Sequence, residues 1–357
     1  MIRPPYPPGE LLRWPLRWLR SATAGLDTVA KGPRSWRDPE ATAGPRSRIV
    51  LLGDVMTVWA GGVPRVDPAV RDVVGRADLV IANCEGPVAR RGDARRARIV
   101  RHRMGTDFLT DLVAAVGSSP DRWVLSIANN HIGDDGPAGV EGTHRALEAS
   151  GFAVAGRRGR GRPPVTIREL EVGRLGVACW TRWLNHPELP PDDGVWRHDD
   201  VERLDWSELR SAHQLDLVAA FPHWDREFCL APSPETRDTA RRLVVGGVDL
   251  VVGHHPHVAQ PWEWIEGRPV LYSIGSFHGP LPWIWRAEHR LGWMAEVELV
   301  RQRGGTVRPA GVELHPVVLV RQRRGHALVA LDSAPGADRR RMTPIVDLVF
   351  PPSARAS

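Results

Sequence analysis

Side chains able to hold a metal ion recur at the ends of short apolar runs in this chain. Asp54 follows the run Arg48–Leu52 after a glycine, and Glu85 follows Leu79–Ala82 within Asn83-Cys84-Glu85-Gly86-Pro87. Asn129-Asn130-His131 follows Val124–Ala128, and His223-Trp224-Asp225-Arg226-Glu227 follows Leu217–Phe221. His254-His255-Pro256-His257 comes just after Leu250–Val252. Carboxylates, an amide carbonyl and several imidazoles gathered in one place form a mixed oxygen and nitrogen donor set for Zn, Mn or Fe ions. Each piece alone has a plainer structural use. An Asp after a strand's glycine serves as a turn or a helix cap, and paired Asn residues suit left-handed turns. His255-Pro256-His257 is harder to explain structurally, because two imidazoles flank a rigid proline. Order and repetition make coincidence a poor account of the whole set.

The elements that would position these residues read as α/β. The apolar runs named above, with Leu175–Cys179 and Val270–Ser273, have the length and β-branched content of buried strands. Helical stretches fall between several of them: Asp107–Val116, Gly139–Ser150 and Pro234–Gly246. The last is well punctuated, with Ser233 as cap, Pro234 in the first turn and Gly246-Gly247 as stop. Two longer strands, Trp293–Val300 and Gly311–Val320, close the domain. Loops at the carboxyl ends of strands converge on one edge of an open α/β sheet, where ligands bind. No GxGxxG or GxxxxGK[ST] follows a strand, and Gly156-Arg157-Arg158-Gly159-Arg160-Gly161 lacks phosphate-loop spacing, so dinucleotide and P-loop chemistry are not expected.

Composition narrows the class further. The chain has 357 residues, 42% hydrophobic and 25% charged, which suits one large folded domain. No apolar run approaches the roughly 18 residues of a membrane span. Cys84, Cys179 and Cys229 are scattered and form neither a disulfide framework nor a metal knuckle, which points to a reducing, cytoplasmic setting. The net charge of +6 rests almost wholly on arginine, with Lys31 the single lysine. That skew, with abundant Ala, Gly and Pro, fits GC-rich coding better than selection for phosphate contacts, so nucleic acid is not an expected partner. Residues 1–47 form a Pro- and Arg-rich leader, expected to be partly disordered, and residues 333–357 a tail around a domain at 48–332. Within the leader, Leu11–Arg20 reads either as a basic, Trp-bearing strip on an anionic membrane surface or, in preference, as poorly ordered chain or a short helix packed on the domain.

The motifs resemble the CapA family of bacterial poly-γ-glutamate capsule synthesis proteins. The resemblance runs through Gly53-Asp54-Val55-Met56, the Glu85 segment, Ala128-Asn129-Asn130-His131 and His223-Trp224. It continues through Gly253-His254-His255-Pro256-His257-Val258 and Tyr272-Ser273-Ile274-Gly275-Ser276-Phe277, in the expected order across residues 48 to 320. It implies a branch of the calcineurin-like metallophosphoesterases, with a four-layer α/β/β/α sandwich. It also implies two divalent ions: Asp54 and His257 on one, Asn130, His223 and His255 on the other, and Glu85 between them. His131 would be the general acid or oxyanion partner, and Trp224, Ser276 and Asn129 would touch substrate. Paired ions of this kind, about 3.5–4 Å apart, supply Lewis acidity and an activated water. The sequence departs from the phosphoesterase pattern at Met56, where a histidine is usual, and from the CapA pattern at Ser276, where asparagine is usual.

Tryptophan is abundant, 15 residues against 2 Tyr and 6 Phe. Trp180, Trp183, Trp224, Trp262, Trp264, Trp283 and Trp285 lie near the motifs and suggest either an aromatic rim for an extended substrate or interlayer packing, with packing favoured. The resemblance implies a role in making or exporting a γ-linked polyglutamate-type capsule or envelope polymer, alongside other capsule-synthesis proteins. The chemistry to expect is metal-dependent hydrolysis of a phosphoester or an amide. Competing expectations are a soluble metallohydrolase of specialised metabolism, a non-catalytic polymer-binding scaffold and, last, a nuclease of the same superfamily.

Overall fold

The apolar runs pair into two large sheets. The computed structural model describes residues 6–41, 44–57, 62–89, 101–190, 192, 194–279 and 286–350. From edge to edge the larger sheet runs β3 (Arg65–Val66), β18 (His326–Ala330), β17 (Val307–Arg321), β16 (Leu291–Arg301), β2 (Arg46–Val55), β4 (Leu79–Cys84), β7 (Trp123–Ser126) and β8 (Ala153–Ala155). β1 (Ser35–Arg37) joins it on β17, and β15 (Ser276–His278) joins it on β2. The second sheet runs β13 (Trp262–Ile265), β14 (Arg268–Leu271), β12 (Leu250–Val252), β11 (Leu217–His223), β10 (Gly173–Thr181) and β9 (Val165–Leu170). A small pair, β5 (Val88–Ala89) and β6 (Met104–Gly105), stands apart.

Strand direction decides where the motifs go. β2, β4, β7 and β8 are mutually parallel, as are β10, β11, β12 and β14. Each set therefore delivers its carboxyl-terminal loops to one edge. Side-chain alternation then separates the layers. Val177, Cys179, Ala219 and Phe221 join the main core with Ile49, Leu51 and Leu52 of β2. Their neighbours Ala178, Trp180, Val218 and Ala220 form a second core with Trp206 and Leu209 of α6 (Trp206–His213) and Leu243 and Val244 of α7 (Pro234–Val245). Val73, Leu112 and Leu147, from α2 (Pro68–Gly75), α3 (Thr106–Ala115) and α4 (Gly136–Ala149), join the main core. The result is an α/β/β/α sandwich, the expected fold class.

The cap expected at Ser233 is present, and the structure adds one at Asp67. Ser233 Oγ accepts from Thr236 N at 3.2 Å to start α7. Asp67 Oδ1 accepts from Ala69 N at 2.8 Å to start α2. The short α5 (His198–Val201) follows the loop after β10.

Ordered structure extends past the expected limits of 48 and 332 at both ends. α1 (Pro8–Leu19) and β1 precede residue 48, and α8 (Gly336–Val349) follows residue 332. α8 buries Met342, Val346 and Val349, and Phe350 meets Trp293 edge to face with centroids 4.7 Å apart. Among the described residues no helix is long and apolar enough to cross a membrane.

Candidate metal centre

Glycine lets the site strands approach their neighbours. At Gly53 a Cβ would strike the carbonyl of Gly275, which brings β15 onto β2 with Ser276 opposite Asp54. At Gly253 a Cβ would strike Trp224 Nε1 and the Tyr272 carbonyl. The loops after β11 and β12 are tied together: Trp224 N donates to His254 O at 3.1 Å, and Phe228 N donates to Pro256 O at 2.9 Å.

Six residues expected to bind metal, Asp54, Glu85, Asn130, His223, His255 and His257, come together here, all buried. Asp54 is fully engaged. Its Oδ1 accepts from Asn83 Nδ2 at 2.8 Å and meets His254 Nδ1 at 2.8 Å. Its Oδ2 lies 3.1 Å from His257 Nδ1 and 3.3 Å from His255 N. Asn130 Oδ1 lies 2.9 Å from His223 Nε2, and His223 Nδ1 lies 3.0 Å from His254 Nδ1. Glu85 is the opposite case. Both its oxygens are buried without a hydrogen-bond partner, and its nearest cation is His257, whose Nε2 is 3.6 Å away.

Electrostatics follow from that geometry. Burial, then the negative charge of Asp54, pushes the Glu85 carboxyl well above the usual carboxylate range. Burial opposes ionisation of Asp54 too, but hydrogen bonds from His254 and His257 outweigh it and hold its pKa well below normal. Burial also opposes a charge on His257, but Glu85 and Asp54 prevail and lift it to about 10. His223 is driven down by burial and by the neighbouring His255 and His254. Two buried carboxylates sharing one imidazolium, with four buried acceptor or imidazole atoms unpaired (both Glu85 oxygens, His254 Nε2 and His255 Nδ1), are a donor set awaiting positive charge. Asp54, Glu85 and His257 place ligand atoms within 4.8 Å of one another, as do Asp54, His223 and His254. These residues fit divalent metal.

His131 stands on the rim. Its Nδ1 lies 2.9 Å from Asp134 Oδ2, and its ring stacks on His102 with centroids 3.7 Å apart. Asp134 Oδ1 meets His186 Nε2 at 3.2 Å. Glu85, His102 and His131 offer ligand atoms within 4.8 Å of one another, so His131 faces the unpaired carboxylate.

The residues expected to touch substrate divide. Ser276 Oγ sits 3.1 Å from His257 Nδ1, beside the centre. Trp224 requires a correction: it is fully buried and donates Nε1–H to Tyr272 O at 2.9 Å, so it packs beneath Gly253 and forms no rim. Asn129 is corrected likewise. Its amide donates to Cys84 O at 2.8 Å and to Asn83 Oδ1 at 3.2 Å, and its Oδ1 accepts from His131 N, which shapes the loop from within. Trp180 and Trp262 are buried, as the packing reading holds. Trp183 donates to Asp225 O at 2.5 Å near the centre, while Trp283 and Trp285 lie outside the described residues.

Asn83, His254, His102 and Asp134 carry no assigned role in the sequence, although Asn83 and His254 stand inside its motifs. A signal existed for the first two: Asn83 is a polar residue inside the buried strand β4, and His254 interrupts the glycine-to-histidine step of its loop. Met56 is buried and donates its backbone N–H to His278 O at 2.7 Å, while His254 brings a further imidazole to Asp54. Beside the loop that carries His223, a cavity of about 590 Å³ opens between α1 and the start of α7. Arg13, Arg17, Arg20, Arg226 and Arg237 line it, with Asp225 as the acid among its lining residues.

An α/β/β/α sandwich with carboxylates and imidazoles massed at its strand ends defines a protein built to hold divalent metal at one edge of its sheets. Its motifs narrow that class. The chain belongs to the bacterial capsule synthesis protein family PGA_cap, whose family model matches residues 48–279. It is 27% identical over 273 residues to the capsule biosynthesis protein CapA of Bacillus anthracis, covering 72% of this chain and 65% of that protein. It is 25% identical over 235 residues to the PGA biosynthesis protein CapA of Bacillus subtilis, covering 60% and 57%. The chain thus spans less than two thirds of the length of these relatives. Among solved structures, the NAD nucleotidase of Haemophilus influenzae aligns with a TM-score of 0.42 at 10% identity, over 85% of this chain and 63% of that one.

Proposed function

We propose that this chain is a metal-dependent hydrolase in the metabolism of a γ-linked polyglutamate-type capsule or envelope polymer. The observation that carries the reading is the buried Glu85 carboxylate, with both oxygens unpaired, facing Asp54 and His257. Asp54, Glu85 and His257 would hold one ion, and Asn130, His223 and His255, with Glu85 shared, a second. Zn, Mn or Fe would supply Lewis acidity to the attacked carbonyl or phosphoryl group. The protein's own part is orientation and proton transfer. Asp134 accepts from Nδ1–H of His131 and favours that tautomer, so Nε2, 3.5 Å from Asn185 Nδ2, is the nitrogen that would carry a proton to the leaving atom. The names of the Bacillus relatives support a polymer of the polyglutamate class, and the five arginines of the adjacent cavity support an acidic chain over a neutral one.

The first experiment is elemental analysis of the wild-type chain beside Asp54→Ala and His255→Ala. About two metal equivalents per chain, lost in both variants, are expected. Purified protein is then assayed on γ-glutamyl oligomers and on phosphoesters. A wild-type chain without metal after reconstitution overturns the hydrolase reading and favours a polymer-binding scaffold.

A further inference from the structure

Tyr6 and Trp14 lie outside residues 48–279, the part that matches the family, yet both reach the centre. Tyr6 is buried beside the start of α1 and packs edge to face on Trp183, with centroids 5.0 Å apart. Its hydroxyl is 2.8 Å from Glu227 Oε1 and 2.7 Å from His255 Nε2. Trp14 Nε1–H donates to the other oxygen of Glu227 at 2.5 Å.

Counting protons settles the direction of this chain. An indole N–H can only donate, so Glu227 Oε2 accepts. A phenol has one proton, and Glu227 Oε1 receives it. The Tyr6 oxygen must then accept from His255, which requires the proton of that imidazole on Nε2. In the neutral ring the lone pair falls on Nδ1. That atom is buried and has no hydrogen-bond partner.

We propose that Tyr6 is a positioning residue of the metal centre: backed by Glu227, it fixes His255 as the Nε2–H tautomer, so that Nδ1 presents its lone pair to a cation. Histidine ligands are commonly oriented by a group on the far ring nitrogen. What is specific here is that the orienting group comes from a segment outside the family-matched core. The inference rests on the metal-centre reading for its purpose, though the tautomer itself does not.

The test is Tyr6→Phe in the full chain, which keeps the ring packing and removes the hydroxyl. In metal-free protein, ¹⁵N shifts of the His255 ring should show a pyridine-like Nδ1 and a protonated Nε2 in the wild type. The variant should show the two tautomers mixed. In metal titrations the variant should bind about 10–100-fold more weakly, with the thermal midpoint of the metal-free protein little changed. A protonated Nδ1 in the wild type overturns the proposal, and so does an unchanged tautomer in the variant. Should Tyr6→Phe fail to fold, Glu227→Gln carries the same readouts with the same expected direction. A wild-type chain that takes up no metal sinks the hydrolase reading, and the ring-nitrogen shifts then decide this proposal separately.

Discussion

Replacing Glu85 by Gln should strengthen the metal-free fold and weaken metal binding at once. The Glu85 carboxyl is fully buried, has no hydrogen-bond partner, and is pushed well above its ordinary pKa by burial and by Asp54. A carboxyl group with a raised folded pKa takes stability away as pH climbs past its unfolded value of about 4.5. Urea unfolding of chelator-treated protein should therefore show Glu85→Gln more stable than wild type at pH 7.5, with the gain fading towards pH 4.5. Metal binding moves the other way. A unit charge about 4 Å from a divalent ion, at an effective dielectric of about 20, is worth about 8 kcal/mol before desolvation. Half of that would lower affinity by roughly three orders of magnitude. Titration with Zn and Mn followed by elemental analysis reads this loss. A metal-free variant less stable than wild type at pH 7.5, or one that keeps its metal, refutes the reasoning that Glu85 is held unpaired for a cation.

Other substitutions separate packing from chemistry. Trp224→Phe should cost about 1–2 kcal/mol in urea unfolding through the lost bond to Tyr272 O, while metal content stays at the wild-type level. Gly253→Ala should cost about 1–3 kcal/mol and lower metal content as well, since the new methyl displaces Trp224 and with it the His254–His257 loop. For Glu296, burial opposes ionisation, but hydrogen bonds from His315 and Arg76 outweigh it and hold the pKa at about 2. Its contribution is complete above the unfolded value of about 4.5 and is lost as pH falls towards 2, so Glu296→Gln should cost about 2 kcal/mol at pH 7 and little at pH 2.5.

The centre was legible in the sequence because its ligand candidates break an apolar pattern. Asp54, Glu85, Asn130, His223, His255 and His257 each come at or soon after the end of an apolar run, and it is their repetition in that place, not any one of them, that marks the site. Parallel strands then brought those ends together without further instruction. Trp224 misled because position after a strand says nothing about the space beneath a neighbouring loop. That space exists only because residue 253, far along the chain, is glycine. α8 escaped notice for a local reason, since Pro344 interrupts its helical pattern while Met342 and Val346 still reach the core. For α1 the helix itself was among the expectations, but its docking was not: Trp14 meets Glu227, and Tyr6 just before the helix meets Glu227 and His255, all more than 200 residues away in sequence.

The loops after β11 and β12 show why the centre needs so much outside support. Asp225, Phe228, His255 and His257 all take positive φ without being glycine, at 68°, 61°, 100° and 55°. Such conformations cost about 1–3 kcal/mol each and persist only where surrounding structure over-determines them. Here the backbone bonds from Trp224 to His254 and from Phe228 to Pro256 lock one loop against the other. Gln260 and Ser233 anchor Asp225, and Tyr6 and Trp14 close over Glu227. Strain, unpaired carboxylate and bound imidazoles all work against the metal-free fold. A cation entering among Asp54, Glu85 and His257 would relieve the electrostatic part directly and leave the strained geometry already in place. Metal should therefore raise the unfolding midpoint of the wild type far more than that of Glu85→Gln, because the variant lacks the unpaired carboxyl group that the metal would engage.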